Sequence, residues 1–118
     1  GNRIYCDSNV LIPRQETEEL VKWIITDNLG SKKRYLDIGT GSGCIIISLL
    51  LSLPKSKGLG VDISKNAILI AKKNRLRHKL KSRLRLFNRS LNNIFYQKFD
   101  LIVSNPPYIV RKDIKNLS

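Results

Sequence analysis

Cysteine, histidine and methionine are scarce in this sequence, and their scarcity argues against a metal-binding protein. The 118 residues include two cysteines, one histidine and no methionine. Cys6 and Cys44 do not have the spacing of metal ligands, and His78 lies among basic residues. We therefore predict that the protein holds no metal ion.

Long apolar runs are also lacking. No stretch reaches the roughly 20 apolar residues that a membrane-spanning helix needs, and no segment has the pattern of a secretory signal peptide. The sequence therefore predicts a cytoplasmic protein that has no membrane partner.

Acidic residues are few, because nine Asp and Glu stand against 22 Lys and Arg and leave a net charge of +13. Such an excess favours anionic partners such as RNA. The basic residues concentrate between Lys72 and Arg85 without interleaved aromatic side chains, so they form no base-stacking platform. A solvated surface explains the charge equally well, and both interpretations remain open.

Three of the seven glycines fall in one short turn, at Gly39, Gly41 and Gly43. The apolar run 33–38 before the turn predicts a strand, and the apolar run 44–51 after it predicts a helix, which together form the first unit of a nucleotide-binding α/β fold. The dinucleotide pattern fails, because Cys44 stands where it needs a third glycine. What remains, Gly-x-Gly-x-Gly after an acid, is the spacing associated with S-adenosylmethionine.

A second acid, Asp62, ends the next predicted strand, Leu59–Ile63, about 20 residues after the glycine turn. An acid at this distance accepts hydrogen bonds from the ribose hydroxyls of a bound nucleotide. The alternative is that Asp62 caps the following helix, although Ser64 is available as that cap. Both roles are compatible.

The run Phe99–Val103 has the composition of a strand buried on both faces, and it leads to the corner Asn105-Pro106-Pro107-Tyr108. The prolines fix the backbone, so the Asn105 side-chain oxygen and a neighbouring carbonyl present two acceptors to one NH2 group. Tyr108 offers a flat face to a planar amide or base. The alternative is an ordinary Pro-Pro turn that ends a strand.

Four strands with intervening helices predict an α/β fold, a Rossmann-like doubly wound parallel sheet. Residues 1–32 are expected to form a short hairpin and a helix that begins near Glu16 and stops at Gly30, with Trp23 packed as core or edge cover. Residues 33–118 are expected to form the first four strands of the sheet. We interpret the sequence as a fragment, that is, one partial domain of this fold spanning 1–118.

Taken together, these motifs make the chain resemble the class I S-adenosylmethionine-dependent methyltransferases. More closely, it resembles the PrmC/HemK family of protein-(glutamine-N5) methyltransferases, which modify the Gly-Gly-Gln motif of peptide chain release factors. The matching stretches are residues 11–18, 36–43, 61–62 and 99–109. The first, with its Ile-Pro-Arg-x-Glu-Thr-Glu pattern, is characteristic of that family.

The resemblance implies S-adenosylmethionine as cofactor and direct transfer of its methyl group to the glutamine amide of a release factor. The implied cofactor-binding residues are Asp37, Gly39, Thr40, Gly41, Ser42, Gly43, Asp62, Leu91 and Asn105. The implied substrate-binding residues are Asn105, Pro106, Pro107 and Tyr108, which also carry the catalytic role, with Arg14 and Glu16 supporting the pocket.

The chain departs from the family pattern in three ways. Ser90-Leu91 stands where the family has an acid followed by an aromatic residue, which predicts weaker adenine binding. The helical amino-terminal domain and the strands after Tyr108 are not in this sequence, so an inactive cofactor-binding fragment is one alternative. An adenine-N6 or guanine-N2 nucleic-acid methyltransferase is another, because those enzymes share the Asn-Pro-Pro-Tyr corner.

Overall fold

The computed structural model describes residues 14–90 and 99–104, with side chains from residue 18 onward. The hairpin expected within residues 1–13 lies outside the described residues. The elements follow in the order α1 (Arg14–Asn28), β1 (Arg34–Ile38), α2 (Cys44–Ser52), β2 (Lys57–Asp62), α3 (Lys65–Arg77), β3 (Leu84–Asn88) and β4 (Leu101–Ser104). The predicted alternation of strands and helices is confirmed over this part of the chain.

All four described strands are parallel and lie in the order β3-β2-β1-β4. The order reverses between β1 and β4, and α/β sheets bind ligands at such a reversal, beyond the carboxyl ends of the strands. Ile38, at the end of β1, pairs with Val61 of β2 and with Ser104 of β4. These three strand ends therefore meet at one edge of the sheet.

Helix α2 is the centre of the core. It packs against α1, α3 and the sheet, and Ile46, Ile47, Leu49 and Leu50 are fully buried, which explains why its sequence is apolar all round. Gly58 of β2 lets α2 approach, because a Cβ at that position would lie 2.7 Å from Cδ1 of Ile46. Over residues 14–90 and 99–104, no helix has the length and apolar character that crossing a membrane demands.

The other face of the sheet carries a second apolar cluster of Leu36, Ile38, Leu59 and Val61, with Phe87 and Phe99 against it. Strand β4 differs from its prediction as a strand buried on both faces, because Ile102 is 38% exposed. Among the described strands β4 is the last in the sheet order, so it is covered less completely than β1. The strand also begins two residues later than predicted, at Leu101.

Helix α1 packs on the core through the apolar face that its sequence spacing predicts, whereas its tryptophan lies outside that face. Ile24 is buried and Leu20, Val21 and Ile25 pack around it, whereas the side chain of Trp23 is 63% exposed. The prediction that Trp23 is core or edge cover is therefore wrong. The apolar contact with the core is made by Leu20 and Ile24, which are four residues apart on one face of the helix.

Candidate functional site

The turn between β1 and α2 depends on its glycines. Gly39, Gly41 and Gly43 have φ angles of 70°, 57° and 82°, a region that residues with a Cβ rarely adopt. A Cβ built at Gly41 would meet no atom of the described residues within 4 Å. The turn therefore faces open space at Gly41, where a ligand can approach its backbone.

Hydrogen bonds within the turn and to the neighbouring strands hold this turn in place. The Thr40 backbone N–H donates to the carbonyl of Val61 at 2.9 Å, and the Gly43 N–H donates to the carbonyl of Thr40 at 2.9 Å. The Thr40 hydroxyl donates to Oδ2 of Asp37 at 2.7 Å. Strands β1 and β2 thus hold the turn at the edge where the sheet order reverses.

Asp37 is a buried carboxyl group with only one of its oxygens satisfied. Its side chain is 1% exposed, and Oδ1 has no hydrogen-bond partner within the described residues. Burial raises the pKa of Asp37 to about 7; the Thr40 hydroxyl lowers the pKa, and the charge of Asp62 raises it. A buried acceptor without a donor suits a ligand that brings an N–H or a positive charge.

Asp62 joins the glycine turn to the start of α3. Its Oδ2 accepts from the Gly41 backbone N–H, and its Oδ1 accepts from the Ser64 N–H, both at 2.9 Å. Ser64 is the N-cap of α3, with its hydroxyl oxygen accepting from the Ala67 N–H at 3.2 Å. Each carboxylate oxygen can accept a second hydrogen bond, so Asp62 retains acceptor capacity for ligand hydroxyls.

Two neighbours of Asp62 were missed by the sequence argument. Ile63 directly follows it with a side chain that is 79% exposed, and Asn88 at the end of β3 donates from Nδ2 to the Asp62 carbonyl at 2.9 Å. An apolar residue placed immediately after the acid was the available signal for Ile63. An exposed isoleucine at this edge gives a flat ligand an apolar surface.

The amino end of α2 adds a site for negative charge. Gly43 is its N-cap and makes no side-chain capping bond, and the first turn of α2 contains no acidic residue. The positive end of the helix dipole favours an anion at such a position. The glycine turn therefore offers a place for a carboxylate next to one for a positive charge at Asp37.

Strand β4 ends beside the glycine turn, because Ser104 pairs with Ile38, the residue before Gly39. The corner from Asn105 to Tyr108 follows Ser104 directly, but Asn105, Pro106, Pro107, Tyr108 and Leu91 lie outside the described residues. Arg14 and Glu16 belong to the first turn of α1, and their side chains are not described. The structure thus brings Asp37, the turn 39–43 and Asp62 together, and the roles of all the predicted site residues stay predictions.

Comparison with known families gives a match over most of the chain. The model of the methyltransferase small domain matches residues 15–117. The chain belongs to this family. Its parallel sheet with flanking helices is the class I methyltransferase fold that the sequence predicted.

Curated relatives agree with the family. A release factor glutamine methyltransferase of Flavobacterium psychrophilum is 44% identical over 121 residues, and one of Bacteroides thetaiotaomicron is 45% identical over 117 residues. These matches cover 99% and 96% of this chain. A bifunctional methyltransferase of Rickettsia bellii is 41% identical over 87% of the chain. The chain spans 42% and 41% of the first two relatives and 24% of the third.

Solved structures share the fold. Magnesium protoporphyrin IX methyltransferase from Synechocystis, solved with bound SAH, has a TM-score of 0.66 at 20% identity, covering 76% of this chain and 40% of its own. At that identity the likeness shows the fold alone. PKMT2 of Rickettsia typhi, in complex with AdoHcy, has a TM-score of 0.57 at 30% identity, covering 71% of this chain and 18% of its own.

S-adenosylmethionine, the predicted cofactor, is confirmed by the family and fits the described residues. Its amino acid portion carries a positive ammonium, which matches the Asp37 oxygen that has no partner within the described residues, and a carboxylate, which matches the start of α2, where the first turn holds no acidic residue. Its ribose carries two hydroxyl donors, which match the remaining acceptor capacity of Asp62. The open space at Gly41 leaves room for the ligand to lie against the turn.

Proposed function

We propose that this chain forms the cofactor-binding and amide-holding part of a release factor glutamine methyltransferase. The enzyme would methylate the side-chain amide nitrogen (N5) of the glutamine in the Gly-Gly-Gln motif. The names of the relatives in Flavobacterium psychrophilum and Bacteroides thetaiotaomicron support this substrate. The structural observation that supports it most is the pairing of Ser104 with Ile38, because the strand leading to Asn105 then ends beside the glycine turn.

The described residues have the following proposed roles toward the cofactor, which when bound supplies an electrophilic methyl group on a positively charged sulfur. Asp37 accepts a hydrogen bond from the ammonium group, and the start of α2 faces the carboxylate. Asp62 accepts from the ribose hydroxyls, and Ile63 covers the adenine ring. Leu91 is proposed to line the adenine side as well, in the place where the family has an aromatic residue.

The proposed substrate contacts come from the Asn-Pro-Pro-Tyr corner. The Asn105 side-chain oxygen and the adjacent carbonyl accept the two amide hydrogens, which directs the nitrogen lone pair toward the methyl group. The amide nitrogen would form a bond to the methyl carbon while the bond between that carbon and the sulfur breaks, and it would release one proton to solvent, so no strong base is needed. Pro106 and Pro107 keep the corner stiff, Tyr108 stacks on the amide, and Arg14 and Glu16 support the pocket. Water excluded from this contact leaves the sulfonium less solvated, which favours loss of its charge.

A release factor is accordingly the proposed protein partner, and the cytoplasm, where release factors act, is the proposed location. The expectations that the chain has no metal and no membrane partner stay predictions.

The test is incorporation of labelled methyl groups from S-adenosylmethionine into a release factor. The chain should label a release factor with an intact Gly-Gly-Gln motif and leave a Gly-Gly-Ala variant unlabelled. Asn105→Ala should lower kcat at least a hundredfold, because the amide would no longer be oriented. Equal rates for Asn105→Ala and the original chain would contradict the role given to Asn105.

A nucleic-acid methyltransferase is the second candidate, and one observation favours it: no acidic residue occurs between Asp62 and Asp100. Including RNA and duplex DNA in the same assay decides between the candidates. Label in nucleic acid with none in the release factor would favour an adenine-N6 or guanine-N2 activity. Cofactor binding without transfer to any substrate would identify the chain as an inactive cofactor-binding fragment.

A further inference from the structure

Asn74 connects the outer helix α3 to the glycine turn. Its Nδ2 donates to the backbone carbonyl of Ser42 at 2.9 Å, a contact between residues 32 positions apart in the chain. Asn74 is partly buried, whereas Asn66 on the same helix is exposed. The side-chain amide of Asn74 therefore hydrogen-bonds to the glycine turn.

The packing of α3 brings Asn74 within reach of the turn. Ala71 is fully buried, and a Cβ at Gly43 would lie 3.4 Å from the Ala71 Cβ and 3.1 Å from Cδ1 of Ile47. The small side chains at 71 and 43 allow this close approach. Residues three apart share a face of a helix, so Asn74 lies beside Ala71 and meets the carbonyl that precedes Gly43.

The contact fixes the plane of one peptide group. The carbonyl of the peptide between Ser42 and Gly43 accepts from Asn74, while its N–H donates to the Thr40 carbonyl at 2.9 Å. Ser42 is flanked by Gly41 and Gly43, and both glycines have φ angles in the left-handed region. Glycine has more conformations to lose than any other residue, so the backbone here needs an external constraint to keep a single shape.

We propose that Asn74 is a positioning residue that holds the glycine turn in its cofactor-binding shape and thereby sets the affinity for S-adenosylmethionine. This inference rests on the cofactor roles proposed above. Asp62 constrains the same turn at Gly41 from the end of β2, and Asn74 constrains it at Ser42 from α3. The cofactor thus binds a turn that is already ordered, and it loses less binding free energy to ordering.

The test compares Asn74→Ala and Asn74→Asp with Asn66→Ala as the matched control on the same helix. The alanine variant removes the donor, and the aspartate variant keeps the shape but sets a negative oxygen against the Ser42 carbonyl. We expect the dissociation constant for S-adenosylmethionine, measured by calorimetry, to rise roughly fivefold to thirtyfold in the alanine variant and further in the aspartate variant. Asn66→Ala should bind as the original chain does.

Two further measurements separate positioning from a general structural role. Thermal unfolding without cofactor identifies a temperature at which every variant is folded, and binding is compared there. Where the chain turns over a release factor, KM for the cofactor should rise with kcat nearly unchanged. Unchanged affinity in a folded Asn74→Ala and Asn74→Asp, with only a lowered Tm, would overturn the proposal. Failure of the unmodified chain to bind S-adenosylmethionine would instead overturn the cofactor roles themselves.

Discussion

At the scale of single residues, the charge state of Asp37 decides how the site behaves. A carboxylate that is buried with one oxygen unpartnered is costly, and its pKa rises until the neutral form dominates. The pKa of Asp37 is raised from 3.8 to about 7, chiefly by burial. The folded chain therefore holds a proton on Asp37 between about pH 4 and pH 7 that the unfolded chain has released.

Asp37→Asn should remove this pH dependence and stabilise the chain at high pH. Because the folded state binds the extra proton, its stability relative to the unfolded state falls as pH rises from about 4 to 7. The difference between the two pKa values sets an upper bound of about 4 kcal/mol at pH 8. We expect the variant to match the original chain near pH 4 and to unfold at a higher temperature at pH 8.

Asp27→Asn is the control, because Asp27 is exposed on α1 and should give the same small change at both pH values. Calorimetric Tm values from pH 4 to pH 8 check the prediction. A constant difference between Asp37→Asn and the original chain across that range would contradict it. The stabilised variant should also bind S-adenosylmethionine more weakly, since a carboxylate that binds an ammonium group has been lost.

Much of the candidate cofactor site could be predicted from the sequence, because its residues follow strand ends in local motifs. Asp37, the glycine turn and Asp62 lie at one edge of the sheet, as their spacing indicated. The contact of Asn74 with Ser42 could not be predicted, since it depends on how closely α3 packs on the turn. The hydrogen bond from the Gly41 N–H to Asp62 could not be predicted either, because it joins the turn after β1 to the end of β2.

At the scale of elements, the end of α3 carries a strained residue. Lys79 has a φ angle of 58° and is the described non-glycine residue with a positive φ. Its N–H donates to the Leu76 carbonyl at 3.1 Å, and the Leu80 N–H donates to the Arg75 carbonyl at 3.0 Å. This pair of bonds is the Schellman motif, in which the left-handed position is usually glycine.

Lys79→Gly should therefore stabilise the chain. Glycine adopts the left-handed conformation without the cost of roughly 1–2 kcal/mol that a Cβ imposes, although its freedom in the unfolded chain offsets part of the gain. We expect a net stabilisation of about 0.5–1 kcal/mol in urea unfolding. Lys81→Gly, at an exposed position just beyond, is the control and should not stabilise. Equal effects of the two substitutions would contradict the assignment of strain to Lys79.

The helices and strands themselves were largely predictable, and the exceptions have physical causes. Helix α2 was predicted from an apolar run after a glycine turn, and the role of Ser64 as the N-cap of α3 was predicted from its place before that helix. Trp23 was predicted from its residue type, which does not show that it lies outside the apolar face of α1 formed by Leu20, Val21, Ile24 and Ile25. Arg83 shows a similar limit: it donates to the carbonyls of Leu50, Leu53 and Ser56, and none of these bonds has a local sequence pattern.

At the scale of the whole molecule, charge of one sign is concentrated in one part of the chain. The net charge is +13, and between Asp62 and Asp100 there is no acidic residue. The basic residues described there are Lys65, Lys72, Lys73, Arg75, Arg77, Lys79, Lys81, Arg83, Arg85 and Arg89. Bringing like charges together on folding destabilises the compact state through mutual repulsion.

Salt should accordingly stabilise the folded chain. The screening length falls from about 10 Å at 0.1 M to about 3 Å at 1 M, so repulsion between neighbouring cations weakens over this range. We expect the free energy of unfolding to rise by on the order of 1 kcal/mol between 0.05 M and 1 M NaCl. Urea unfolding at a series of NaCl concentrations measures this rise.

Variants that remove either basic or acidic side chains distinguish charge screening from the general effect of salt on apolar burial. Lys72→Gln combined with Lys81→Gln neutralises two exposed cations of the basic stretch and should make the rise smaller. Glu19→Gln removes an exposed acid from α1 and should leave the rise unchanged or make it larger. Salting-out of apolar surface is the same in all three proteins. Identical salt dependence in the three would therefore mean that repulsion between these cations does not limit stability.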